Sequence, residues 1–345
     1  MTNAQQLLCL APGNPAKFAL RPRELPDPRR GQVRVRLEAS SVNPIDAKRA
    51  SGYGRRLLAL KGAARFPTVL GNDLAGVVEA VGAGDAIWKP GDRVYGLIPT
   101  GPQGAHASHV LAQSAHLRAA PANLASSELA ALPYTFTTLW LALQSVGLNQ
   151  DNAGGKVVLV HGASGGLGQL ALQVLSLWGA RVTAVCSSEH VQTCEALGAT
   201  TVVDRTRRSL STLPSCHDVS LNFAHWQDDE ALIRRLKPGA MGHATTVHPL
   251  LDSFDVHGWI AGGWRAYRAW SAMRQVATAT GGRATRYTWV IFRPDAQALD
   301  ALAQLVRADI GLQLPIGLTV PLPQGEQAFA HVAQRRAGRA ILTLA

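Results

Sequence analysis

Seven consecutive residues carry the plainest chemical signal in the chain: Gly162-Ala163-Ser164-Gly165-Gly166-Leu167-Gly168. They follow a short apolar run at 157–161, and the pattern predicts a helix over 169–178. Glycines between a strand and a helix permit a tight turn and a close approach of backbone to a pyrophosphate. The helix start then offers free N–H groups to the anion. Ala163 stands where the usual dinucleotide fingerprint has its first glycine. The strand before and the helix after separate this loop from an ordinary glycine-rich turn. Ala163, Ser164, Gly165, Gly166, Leu167 and Gly168 are therefore expected to bind a dinucleotide.

The end of the next strand, 181–185, bears on which dinucleotide. An acid about twenty residues past the glycines would take the ribose 2′-hydroxyl of NAD. The chain has Cys186-Ser187-Ser188 there, with Glu189 as the dissenting neighbour. The hydroxyls of Ser187 and Ser188 suit a 2′-phosphate, and no acid at that strand end repels one. Arg205, after the following strand, could meet the same phosphate. Arg207 and Arg208 read equally well as solvated loop residues. These observations favour NADPH over NADH.

These residues need a scaffold, and the surrounding pattern describes one. The stretch 32–39 alternates apolar and charged residues, as a half-buried strand does. Further strand-like stretches at 68–81, 94–98 and 106–111, with a tight turn at 89–93, suggest a small barrel-like β domain. From about residue 125 the rhythm changes. Helices are expected at 126–131, 137–146 and 191–197, strands at 157–161, 181–185, 202–203 and 218–221, and a turn plus strand at 237–246. Alternation of this kind specifies a doubly wound parallel sheet. Beyond Pro294 come a helix at 296–307, a strand at 316–320, a helix at 325–335 and a closing strand at 339–344. This tail is too short to stand alone and is expected to complete the first domain. The expected organisation is 1–125, 126–292 and a returning 293–345.

Composition narrows the class. The chain has 345 residues, 47% hydrophobic and 17% charged, which excludes collagen, coiled coil and disorder. The four cysteines are too few and too scattered for a disulfide framework. The first twenty residues read as neither a signal peptide nor an Arg-rich transit peptide, so a cytoplasmic location is expected. Formal net charge is +11, and the arginines are spread along the chain, in pairs at most. No basic stripe interleaved with aromatics stands out, so neither nucleic acid nor membrane is expected as a partner.

The residues also carry a resemblance. Ser41-Val42-Asn43-Pro44-Ile45-Asp46, Gly71-Asn72-Asp73, Lys89-Pro90-Gly91-Asp92, Ala131-Leu132-Pro133-Tyr134 and the 162–168 loop resemble the medium-chain dehydrogenase/reductase superfamily, in its zinc-free quinone oxidoreductase branch. The stretches 41–54, 161–168, 182–187 and 292–295 resemble most the reticulon-4-interacting-protein (mitochondrial quinone oxidoreductase-like) group. The resemblance covers essentially the whole chain. It implies an α/β fold: a Rossmann doubly wound parallel sheet plus a GroES-like β-barrel catalytic domain that the C-terminal segment completes. It also implies a homodimer.

Within this superfamily the zinc ligands of alcohol dehydrogenases would fall near Asn43, Asn72 and Tyr134, none of them Cys or His, and no cysteine lies between Cys9 and Cys186. No metal is expected. Hydrogen bonds must then polarise the substrate carbonyl. The resemblance places Asn43 beside the nicotinamide, as both oxyanion donor and cofactor contact; on amide chemistry alone it could equally cap the turn that follows. Lys48 stands where some quinone oxidoreductases carry Tyr and could orient substrate or donate a proton, although a solvated lysine is the plainer reading. Tyr53 and Tyr134 complete the expected catalytic set, with Tyr134 equally readable as core. Thr138 and Thr245 complete the cofactor set. His106 and His109 read as surface residues. Arg205, Asn222 and His225 depart from the superfamily's usual Tyr, Asp and Gly, which bears on the adenosine contacts.

The expected function is a zinc-independent, NADPH-dependent oxidoreductase that transfers a hydride to small quinones or α,β-unsaturated carbonyls. The alternatives are an enoyl-thioester reductase of the same superfamily and a non-catalytic NADPH-binding sensor or scaffold. Purified protein should contain no stoichiometric zinc, and chelators should leave turnover intact. One zinc per chain by elemental analysis, lost together with activity, would refute this.

Overall fold

The computed structural model describes residues 2–308 and 311–344. The chain forms two units. One comprises residues 1–137 and 293–345, the other 138–292. The first break falls at 137/138, twelve residues later than the sequence suggests and inside a helix, because the helix at 133–145 begins in one unit and ends in the other.

The first unit opens with a hairpin, β1 (Thr2–Ala11) and β2 (Lys17–Leu25), followed by β3 (Gln32–Val42). The short helices α1 (Pro44–Ala50) and α2 (Arg55–Ala59) follow. Then come β4 (Thr68–Val69), β5 (Asp73–Val81), β6 (Arg93–Leu97), β7 (His109–Gln113) and β8 (Leu117–Ala119), and the helices α3 (Ser126–Leu129) and α4 (Pro133–Ser145). The hairpin escapes the sequence reading, since β2 carries Pro22 and four charged residues among its nine. β3 shows why alternation works as a signal. Val33, Val35 and Leu37 are fully buried, while the arginines between them reach outward to Asp27 and Glu79 or to solvent.

The second unit contains β9 (Val157–His161), α5 (Gly166–Leu177), β10 (Arg181–Cys186), α6 (Val191–Ala196), β11 (Thr201–Asp204), β12 (Val219–Asn222), α7 (Asp229–Ile233), β13 (Gly242–Thr245), α8 (Leu250–Gly281) and β14 (Arg286–Trp289). Its strands are all parallel, in the order β11-β10-β9-β12-β13-β14 among the described residues. This is a doubly wound sheet whose strand order reverses beside β9, the strand that feeds the glycine loop. β9 lies in mid-sheet and is buried from Val158 onward, consistent with its unbroken apolar sequence. The 32-residue α8 bends at Gly258, whose φ of 78° and ψ of −169° break the helical path.

Residues 293–345 return to the first unit as α9 (Ala296–Arg307), β15 (Ile316–Pro321), α10 (Gly325–Ala333) and β16 (Arg339–Thr343). The Asp295 carboxylate caps α9 by accepting the Ala298 N–H at 2.9 Å. β16 pairs antiparallel with β3, Ala340 opposite Val42, and parallel with β15. The resulting sheet runs β15-β16-β3-β5-β6-β8, with β7 also on β3. Its core includes Val33, Leu74 and Val94 from the early strands and Ala340, Leu342 and Phe329 from the tail.

Candidate active site

In the first unit several buried polar side chains gather around one carboxylate. Asp73, at the start of β5, has no solvent exposure. It accepts hydrogen bonds from Ser41 Oγ at 2.5 Å, from Asn43 Nδ2 at 2.7 Å and from the Tyr134 backbone N–H at 2.6 Å. Arg339, at the start of β16, lies 3.8 Å away and donates to Asn43 Oδ1 at 2.5 Å and to Ser41 Oγ at 3.1 Å. Asn43 therefore bridges the ion pair, accepting a hydrogen bond from the cation through Oδ1 and donating one to the anion through Nδ2. Burial pushes Asp73 up to about 6, against the opposing pull of Arg339 and the three donors. A second carboxylate, Asp46, accepts the Asn43 N–H at 2.9 Å and the Gly71 N–H at 3.0 Å. These bonds fix both the start of α1 and the loop before β5.

The structure places Asn43 otherwise than as an open donor. Its side chain has no exposure, and its two N–H groups go to Ser41 and Asp73. Nor does its side chain cap α1; the bond there runs from its backbone N–H to Asp46. Tyr134 is half-buried, and burial holds its phenol well above the usual range. Lys48 is exposed, with its ammonium 5.0 Å from the centre of the half-buried Tyr53 ring. Asn72 donates to Ile98 O at 2.8 Å and to Thr100 Oγ1 at 3.2 Å. His106 is fully buried, not on the surface; its Nε2 lies 3.1 Å from Ser41 O. A Cβ at Gly71 would stand 2.4 Å from the His106 ring, and the φ of +99° at Gly71 also favours glycine.

In the second unit α5 begins at Gly166, three residues earlier than the pattern predicts, so Gly166, Leu167 and Gly168 form its first turn. Gly162 adopts φ +79°, and a Cβ on Gly168 would lie 2.2 Å from Gly162 O. Both positions therefore require glycine, one for its conformation and one for contact between helix and loop. Ala163 is buried and donates its N–H to Val185 O at 3.1 Å, tying the loop to β10. The cradle and the helix start together fit a diphosphate. Thr138 and Thr245 are both buried, Thr245 at the end of β13, where its Oγ1 accepts the Val247 N–H at 3.3 Å.

The ribose end departs from expectation in one respect. Asp204 ends β11, in register with Cys186 at the end of β10. It accepts the Ser188 hydroxyl at 2.5 Å and the Thr206 hydroxyl at 2.6 Å, bonds that lower its pKa. An acid is thus present beside the strand end, and Ser188 is spent on it. Arg207 partly offsets the charge, with Nε 3.4 Å from Asp204. Ser187 remains half-exposed, with Oγ 3.3 Å from Glu189. Arg205, Arg207, Arg208 and His161 line a depression of about 480 Å³ together with Ser209 and Asp228. The departure at Asn222 has an internal explanation. Asn222 Nδ2 donates to the buried Asp229 at 2.7 Å and to His225 O at 2.7 Å, and Asp229 also accepts Tyr287 OH at 2.9 Å and faces His243 Nε2 at 3.1 Å. Three of these bonds run from β12, β13 and β14 to Asp229 at the start of α7.

Residues 29–122 match the alcohol dehydrogenase GroES-like domain. The mitochondrial NAD(P)H oxidoreductase RTN4IP1 of Homo sapiens is 33% identical over 335 residues, which cover 91% of this chain and 82% of that protein. The chloroplastic quinone-oxidoreductase QR1 of Triphysaria versicolor is 35% identical over 182 residues, 52% of this chain and 54% of that one. The chain belongs to the medium-chain dehydrogenase/reductase superfamily, in its quinone oxidoreductase-like branch. The fold agrees: the quinone oxidoreductase structure from Coxiella burnetii matches over 100% of both chains, with a TM-score of 0.81 at 21% identity.

As a member of this superfamily the protein is an oxidoreductase. The expected cytoplasmic location is corrected by the full-length relatives, which are mitochondrial proteins in Homo sapiens and Caenorhabditis elegans alike. Asp73, Asp46 and Arg339 are the site residues that sequence reasoning missed. The two aspartates lie inside the quoted segments Gly71-Asn72-Asp73 and Ser41–Asp46, whereas Arg339 is 298 positions from Ser41 and carries no local signal.

Removing one partner of a buried pair leaves the other uncompensated, so Arg339→Met should cost about 3–5 kcal/mol in urea denaturation, and adding Asp73→Asn should recover part of it. The pH dependence has a definite sign. The folded value for Asp73, about 6, lies above its ordinary 3.8. The stability linked to it is full below the ordinary value and is lost as pH rises through the folded one. Asp73→Asn should flatten that slope; an unchanged pH profile would remove Asp73 from the account.

Proposed function

We propose that this oxidoreductase uses NADPH, without zinc, to reduce quinones or α,β-unsaturated carbonyls. The observation that carries the reading is the glycine cradle at 162–168, where Gly162 and Gly168 admit no side chain and the start of α5 faces the loop. Relatives named as NAD(P)H oxidoreductase and as quinone-oxidoreductase support the chemistry.

When bound, the dihydronicotinamide would supply a hydride. The loop residues Ala163 to Gly168 would hold the diphosphate through backbone N–H groups. Ser187 and Arg205 would hold the 2′-phosphate, the arginine by a charge-assisted bond. A carbonyl compound that accepts hydride gains negative charge on oxygen, and a cation or donor near that oxygen lowers the barrier. With the Asn43 amide committed to Asp73 and Ser41, Lys48 is the better donor: its ammonium is exposed and steadied over the Tyr53 ring. Asn43 keeps a positioning role beside Asp73, and Tyr134 contributes its backbone N–H to the same carboxylate. A second reading, NADH in place of NADPH, is favoured by Asp204, which already accepts two hydroxyls at the strand end.

Titration calorimetry should give a lower Kd for NADPH than for NADH, and Ser187→Asp should erase the difference by placing a carboxylate against the phosphate. One such bond to a charged group is worth about 1.5–3 kcal/mol, roughly tenfold or more in affinity. Equal Kd values in the parent protein would favour the Asp204 reading.

Lys48→Ala should lower kcat by about tenfold or more on a simple enone, if the ammonium acts as acid or electrostatic donor. The loss should be smaller on 1,4-benzoquinone, which accepts hydride readily, and the Kd for NADPH should hold. Equal kcat on both substrates would exclude Lys48 from the chemistry.

A further inference from the structure

The bend in α8 delivers an unusual surface. Beyond Gly258 the helix shows solvent Ile260 at 92% exposure, Trp264 at 58% and Tyr267 at 64%, with Val256 at 71% and Trp259 at 49% beside the bend. Positions 260, 264 and 267 are spaced by four and three, so they form one stripe along the helix. Soluble surfaces usually scatter large apolar residues singly. Here five fall within twelve positions.

The neighbouring edge of the same helix is basic. Arg265 and Arg268 are exposed, and the Arg268 guanidinium lies 4.7 Å from the centre of the Trp264 ring. From Val256 to Pro294 the sequence holds six arginines and no carboxylate. The only acids of α8, Asp252 and Asp255, precede the bend. Over Trp264–Trp270 the sequence places Arg265 and Arg268 among three aromatic residues.

We propose that this face of α8 docks onto a membrane surface containing anionic lipid, with Ile260, Trp264 and Tyr267 entering the interface and Arg265 and Arg268 meeting the headgroups. The combination of an exposed apolar stripe, Trp and Tyr at its margin and arginines alongside is what an interfacial helix requires. α8 is not apolar enough to cross a bilayer, so it would lie in the surface. Charge complementarity selects the occupant. A second copy of this face would bring arginines against arginines with no carboxylate between them. A nucleic acid would use the arginines and rings but leaves Ile260 and Val256 without a partner. The proposal revises the expectation that the chain has no membrane partner, and it stands apart from the reaction proposed above.

The test is flotation of the full chain with vesicles of phosphatidylcholine alone or mixed with phosphatidylglycerol. The protein should float with the mixed vesicles and not with phosphatidylcholine alone, and raising the salt to about 1 M should release it. Ile260→Ser with Trp264→Ser, both at exposed positions, should reduce bound protein by about tenfold while circular dichroism stays unchanged. Arg265→Glu with Arg268→Glu should do the same on mixed vesicles. Absence of flotation, or variants that float like the parent, would overturn the proposal. So would a dimer in sedimentation that Ile260→Ser splits into monomers, or binding of a single-stranded oligonucleotide without binding of vesicles.

Discussion

A carboxylate removed from water has to be satisfied by the protein, and in this chain Asp73 imposes that demand on most of the first unit. Its three hydrogen bonds come from the end of β3, the entry to α1 and the start of α4, and its counter-charge comes from the start of β16. Each donor is also held by a neighbour. Asn43 is locked by Asp46 through its backbone and by Arg339 through its side-chain oxygen. The result joins residues from both separated stretches of the unit around one negative charge. Such networks gain by being fully satisfied, because a missing member leaves a buried polar group without a partner. The orientation of α1, which presents Lys48, follows from this network.

The second unit solves a similar problem with different residues. Asp229 is nearly wholly buried and carries a pKa below the ordinary value, since His243, Asn222 and Tyr287 together outweigh its burial. Tyr287 moves the other way, because burial and then the charge of the carboxylate it donates to both hold its phenol above the ordinary value. The β12–β14 side of the sheet is thus polar but internally satisfied. On the β9–β11 side the carboxyl ends of the strands present the glycine loop, Asp204 and the arginines. The two halves of the sheet differ in what they leave open to a ligand.

How much of this is legible in sequence depends on the range of the interaction. The glycine loop is local: its strand, turn and helix occupy 21 consecutive residues, and each part is visible in residue types. β9 and the α9 helix follow their periodicity to the residue. The β1–β2 hairpin and α8 do not. β2 has its outward positions crowded with charge and a proline, and the face of α8 that should be polar carries Trp, Ile and Tyr, which removes the contrast on which a helical pattern depends. Asn43 was legible as a candidate but its contacts were not, because what an amide's two ends touch depends on residues brought in by the fold. Here one end touches Arg339, nearly three hundred residues away. Asp204 was hidden for a related reason: parallel pairing, not proximity in sequence, sets it beside Cys186.

The return of the tail also sets an order of events during synthesis. Residues 138–292 form a unit from one uninterrupted stretch, so it can fold as soon as it leaves the ribosome. The first unit cannot finish then, since Arg339, β15 and β16 are made last. At about 5–20 residues per second, the first 137 residues wait on the order of 10–40 s for their counter-charge. Over that interval the β3 edge lacks the partner that β16 later supplies, and Asp73 has no cation. The nascent chain therefore presents an open strand edge to its surroundings while its second unit is already complete, and that edge is where a chaperone would be needed.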